Sequence, residues 1–141
     1  MISPLSNSMP AKIARPGAST EVDMIATSIA MCIEKLHYCH HNTTSHAMHQ
    51  ALDYAYDAIS DLKDEILEKM IGYTGQRYKK LSLTSIEGDA NLMAGQVAEE
   101  ILGFGKYLEG YAEMNGYCDL ENLAQSYSGV GAKLKYLLTL S

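Results

Sequence analysis

Four stretches of this chain repeat apolar side chains at steps of three and four, and none alternates them at steps of two. The first pattern winds apolar residues onto one face of a helix, whereas the second would lay them on one face of a strand. Val22, Ile25, Ile29, Ile33 and Leu36 make the first stripe, opened by Thr20 with Asp23 and running to about His40. The polar stretch His41-Asn42-Thr43-Thr44-Ser45 interrupts it and supplies a cap. A second helix follows from Ser45 or His46 to about Ile71, with Met48, Leu52, Ala55, Ile59, Leu62, Ile66 and Met70 on one line. Residues 72–83 form a connector that carries Arg77, Lys79 and Lys80. Thr84-Ser85-Ile86-Glu87 has the spacing of a capping box, and Ala90, Met93, Val97, Ile101, Phe104, Leu108 and Tyr111 continue a third helix. Asn115-Gly116 stops it in the manner of a left-handed cap. Leu120, Leu123, Tyr127, Val130, Leu134 and Leu137 define a fourth. The expected fold is all-α, an antiparallel four-helix bundle over residues 19–141 with a short crossover between helices two and three.

Residues 1–18 hold all three prolines and no periodicity, and they read as a mobile arm. With 141 residues, of which 47% are apolar, the chain has enough material for one unaided core. Its net charge of −6 offers no general attraction to nucleic acid or anionic lipid. Cys32, Cys39 and Cys118 form no Cys-x-x-Cys pair, which excludes a zinc ribbon and suits a reducing compartment. No apolar run approaches membrane-spanning length, so a cytoplasmic location is expected. Glycines 103, 105, 110, 129 and 131 stand inside helical stretches, where each costs about 1 kcal/mol against alanine. Close helix contacts would explain them.

The chemistry-bearing residues are concentrated in one place. All five histidines fall between His37 and His49, and carboxylates follow at once. His37, His49, Asp53, Asp64 and Glu68 are separated by 12, 4, 11 and 4 residues. Steps of four bring His49 to Asp53, and Asp64 to Glu68, on a helix face. Mixed imidazole and carboxylate donors suit iron, zinc or manganese. At about 100° per residue these side chains centre roughly 145° from the apolar stripe of the second helix, so they turn away from the chain's own core. Asp53 and Asp64 stand about 16 Å apart along the helix, too far for one metal to bridge. The helix thus presents two half-sites, and a second copy packed antiparallel would complete each one.

This pattern resembles the Dps-like mini-ferritins, whose ferroxidase site lies between two subunits. The family's run of two histidines, two aspartates and a glutamate is matched without a gap by His37, His49, Asp53, Asp64 and Glu68. Glu65 beside Asp64 and Tyr56 after Asp53 agree as well, over about residues 36–72. Tyr38 stands where the family usually has tryptophan, and the connector leaves no room for the family's extra helix. The resemblance implies ferrous iron oxidised by hydrogen peroxide or dioxygen, with Glu68 bridging two irons beside Asp64. His37, His49 and Asp53 would come from the other subunit. It also implies a twelve-subunit shell for iron storage and oxidative protection.

Taken alone, the carboxylates read as a solvated helix face, and His40, His41 and His46 as helix-end residues. Tyr38 and Tyr56 are the tyrosines nearest the proposed ligands. The alternative is a structural or interaction bundle whose metal, such as zinc, clamps a dimer without oxidation. DNA binding is expected to be weak, since the arm has only Lys12 and Arg15 as cations.

Overall fold

A computed structural model describes residues 20–141, so the expected arm at residues 1–18 lies outside the described residues. Those residues form four helices and no strand: α1 (Glu21–Asn42), α2 (His46–Thr74), α3 (Ala90–Asn115) and α4 (Cys118–Leu138). Four of the helix ends have a local cause. Thr20 and Asp23 make a reciprocal capping box at the start of α1. Ser45 Oγ accepts the Met48 N–H to open α2, while Gly75 and Gly116 close α2 and α3 at φ 73° and 72°. Among the described residues no helix is long and apolar enough to cross a membrane.

Side-chain contacts define how the helices run. Lys35 meets Glu100 and Glu21 meets Tyr107 between α1 and α3. Lys69 meets Asp119 and Tyr54 meets Lys133 between α2 and α4. Glu109 meets Gln125, and Glu99 meets Lys135, between α3 and α4. In each pair numbers rise on one helix as they fall on the other, so adjacent helices oppose in direction. Ile25, Ile29, Leu36, Leu52, Ile59, Ile66, Met70, Ile101, Leu108, Leu120, Tyr127 and Leu134 fill the space between them and are fully buried. Burial of side chains of this size contributes roughly 1.5–3 kcal/mol each and dominates the stability.

The α2–α3 connector covers residues 75–89, not 72–83. α2 continues to Thr74, whose hydroxyl bonds Met70 O at 2.7 Å, before Gly75 turns the chain. No capping box forms at Thr84: its N–H points to Met31 Sδ at 3.4 Å, and α3 waits for Asp89, whose carboxylate accepts from Asn91 and Leu92. The connector lies along α1. Lys79 N–H bonds Asp23 at 2.7 Å, Ser82 N–H bonds Thr27 at 3.2 Å, and Tyr38 O–H bonds Gly88 O at 2.8 Å. A nearly extended chain reaches from one end of α1 to the other because each residue advances about 3.3 Å.

Asp23 is the anchor of this strap. It is 4% exposed, and one carboxylate accepts the N–H groups of Thr20, Lys79 and Lys80. These donors, Lys79 first, hold its carboxyl below the usual carboxylate value. A carboxylate depressed in the folded state adds stability that is present above about pH 4 and lost as pH falls through the folded value. Protection of the Lys79 and Lys80 amides from hydrogen exchange is therefore expected to collapse in acid. Asp23→Asn should show that loss already at pH 7; equal protection in the variant and the native chain at pH 7 would contradict the anchor role.

The glycines separate into two groups. A Cβ on Gly105 would stand 2.6 Å from Ser128 Cβ, and one on Gly131 would stand 2.9 Å from Leu102 N. Here α3 and α4 approach too closely for any side chain. Gly103, Gly110 and Gly129 face open space, and the structure gives no packing reason for them.

Candidate metal centre

The face of α2 turned from the core carries His49, Asp53, Asp57, Asp61, Asp64, Glu65 and Glu68, all exposed, opposite buried Leu52, Ala55, Ile59, Ile66 and Met70. The orientation follows from periodicity alone: the apolar steps fix one face inward, and the polar steps must then point out.

At one end of this face, the three-residue turn between α1 and α2 folds histidine onto histidine. His49 Nδ1 lies 2.9 Å from His40 O, and His40 Nδ1 lies 3.2 Å from His49 O. A carbonyl oxygen only accepts, so both Nδ1 atoms donate, and in the neutral ring Nε2 keeps its lone pair. Metal-binding histidines are commonly oriented in this way. The two rings stack with centroids 3.9 Å apart. His37, half-buried on α1, stacks on Tyr56 at 4.3 Å and lies 4.2 Å from His41. Asp53 follows His49 by one helical turn.

The other end is separate. Asp64 and Glu68 stand about 16 Å or more along α2 from Asp53. Glu68 borders an open depression of about 300 Å³ with Lys69, Gly72, Tyr73 and Asp119. Lys69 is paired with Asp119 at 3.4 Å, while Asp64 and Glu68 make no hydrogen bond or ion pair within the described residues. Among the described residues no three histidine, cysteine or acidic side chains converge to hold a metal ion within one chain. The structure thus brings His37 and His49 to one end of the α2 face and sets Asp64 and Glu68 at the other.

Two tyrosines beside the candidate ligands have different surroundings. Tyr56 packs on His37, whereas Tyr38 reaches away to hold Gly88 in the strap. Cys32 and Cys39 are buried, and burial pushes both thiols up to about 11, which leaves them unreactive. His40 and His41 stand in the last turn of α1, as expected of helix-end residues, and only their ring contacts were not foreseen. The signal was present: His37 and His41 are four apart on one helix, and His40 faces His49 across a short turn.

Fold and face together define a helical bundle with an outward imidazole and carboxylate surface. Residues 40–138 match a family of unknown function (DUF5856), and the chain belongs to that family. His49, Asp53, Asp64 and Glu68 lie inside the matched span and His37 just before it. No curated protein and no solved structure matches the chain.

Proposed function

We propose that this chain is a Dps-like mini-ferritin that oxidises ferrous iron at a site shared by two copies. The observation that carries the reading is the run His37, His49, Asp53, Asp64, Glu68 with its α2 members on the solvent face. Half-sites at opposite ends of one helix are completed by a twofold partner, because a twofold axis brings the imidazole end of one copy to the carboxylate end of the other.

In this reading, iron is the substrate. His37, His49 and Asp53 of one copy hold it with Asp64 and Glu68 of the other, and Glu68 spans two ferrous ions. Each ferrous ion gives up one electron. Two such electrons and two protons convert one hydrogen peroxide to two waters, and dioxygen is the other candidate oxidant. Anionic carboxylates favour the ferric product, whose charge is higher, while neutral imidazoles bind the ferrous ion without excess charge. The outward acidic face of α2 draws cations towards this surface. Assembly into a shell would serve iron storage and oxidative protection; zinc would occupy the same donors without redox chemistry.

Anaerobic ferrous titration followed by peroxide tests the reading. Saturable binding near about one or two irons per chain, then rapid ferric absorbance, is expected for a two-metal site. Absence of saturable binding, or oxidation no faster than in buffer, would overturn it.

A further inference from the structure

The ferroxidase reading uses two of the five histidines, yet four of them crowd one end of the α1–α2 hairpin. His37, His40 and His41 share the last turns of α1, and His49 joins them from α2. His37 with His40 and His41, His40 with His41, and His40 with His49 have ring centroids between 3.9 and 6.0 Å apart. We propose that His37 and His41 form a chelating pair for a borderline-soft divalent cation such as nickel or zinc, complete within one chain, with water filling the remaining positions.

Three independent features favour it. First, residues four apart on a helix stack one above the other, so two imidazoles there can approach a single ion at nitrogen–metal distances of about 2.0–2.1 Å. The 4.2 Å separation and 46° tilt of the His37 and His41 rings show that both already lie over the same turn. Second, Tyr56 stacks on His37 at 4.3 Å, which restrains that ring before any ion arrives. Third, His41 lies in the last turn of α1, where the negative end of the helix dipole favours a cation. His40 stands beside it, 5.3 Å from the His41 ring, but its Nδ1 is engaged with His49 O. The protein donors are all nitrogen. They therefore rank nickel, copper and zinc above hard cations such as magnesium or calcium.

The proposal is independent of the ferroxidase reading, although both use His37, and the experiment keeps them apart. Nickel is titrated calorimetrically into the native chain, into His41→Ala, into His46→Ala and into Asp64→Ala with Glu68→Ala. His46 opens α2 outside the ring cluster and serves as the histidine control. His41→Ala should weaken nickel binding by at least about tenfold, the scale of a lost imidazole contact. His46→Ala and the double carboxylate variant should retain that nickel event, since neither change touches the pair. Native-like nickel affinity in His41→Ala would overturn the chelate, as would an equal loss in His46→Ala. If the double carboxylate variant lost the same nickel event, the ion would belong to the shared site and the proposal would fail. Ferrous oxidation, measured separately on the native chain, reports only on the ferroxidase reading.

Discussion

Asp64→Ala combined with Glu68→Ala is expected to slow peroxide-driven ferrous oxidation by at least about 100-fold, because in the proposed site it would remove metal ligands rather than their supports. The fold should not suffer. Both carboxylates are exposed, and neither makes a hydrogen bond or ion pair within the described residues. Alanine is also the better helix former at both positions. Far-ultraviolet circular dichroism and the unfolding midpoint should therefore stay level or rise slightly while oxidation disappears. This separation distinguishes a metal centre from a merely solvated acidic face. If the face were only solvent-exposed, the native chain would have no oxidation to lose. A metal-clamped dimer without redox chemistry would give a different result again: the variant would alter association, with no ferric absorbance in either protein.

The largest structural effect is expected at Gly105. An added methyl there would lie 2.6 Å from Ser128 Cβ and 2.8 Å from both Ser128 Cα and N. Two of those atoms are backbone, so no rotamer change relieves the overlap and α3 must move off α4. Overpacking of this kind costs about 1–3 kcal/mol. Less about 1 kcal/mol gained from helix propensity, a cost at the upper end of that range leaves a net loss of about 2 kcal/mol, which lowers the unfolding midpoint by about 5–10 °C for a chain of this size. Gly103 is the internal control, two residues away on the same helix, because a Cβ there meets nothing within 4 Å. Gly103→Ala should gain up to about 1 kcal/mol from helix propensity. Opposite shifts for the two alanines are the expected signature in thermal melts; shifts of the same sign would contradict the close-approach account.

Sequence legibility followed the range of the interactions. The helix faces, the Thr20–Asp23 box, the Ser45 cap and the Gly116 stop depend on neighbours within one turn, and each appears in the structure. The start of α3 depends on distant partners. Thr84 and Glu87 have the spacing of a cap, but α1 draws the Thr84 N–H to Met31, and Gly88 at φ 121° resets the chain before Asp89. The roles of Gly105 and Gly131 were hidden for the same reason, since only the opposite helix shows which glycines are crowded.

The candidate site divides along the same line. The outward direction of His49, Asp53, Asp64 and Glu68 could be read from 100° steps, and the structure places them on that face. The histidine cluster required the hairpin to close, because the contacts of His40 with His49 cross the turn. In the proposed reading the imidazole and carboxylate ends would meet only through a second copy of the chain, a step that one chain's periodicity and fold do not contain.

Complementation between two inactive variants tests that shared site most directly. One variant carries His37→Ala, His49→Ala and Asp53→Ala; the other carries Asp64→Ala and Glu68→Ala. Each alone should be inactive. Co-expressed in equal amounts, they pair at random, and every mixed dimer holds one intact site and one stripped of all five ligands. Half of the dimers are mixed, so ferrous oxidation should return to about a quarter of the native rate. If the site were built within one chain, no mixture of the two variants would oxidise iron faster than either variant alone, and that result would contradict the account.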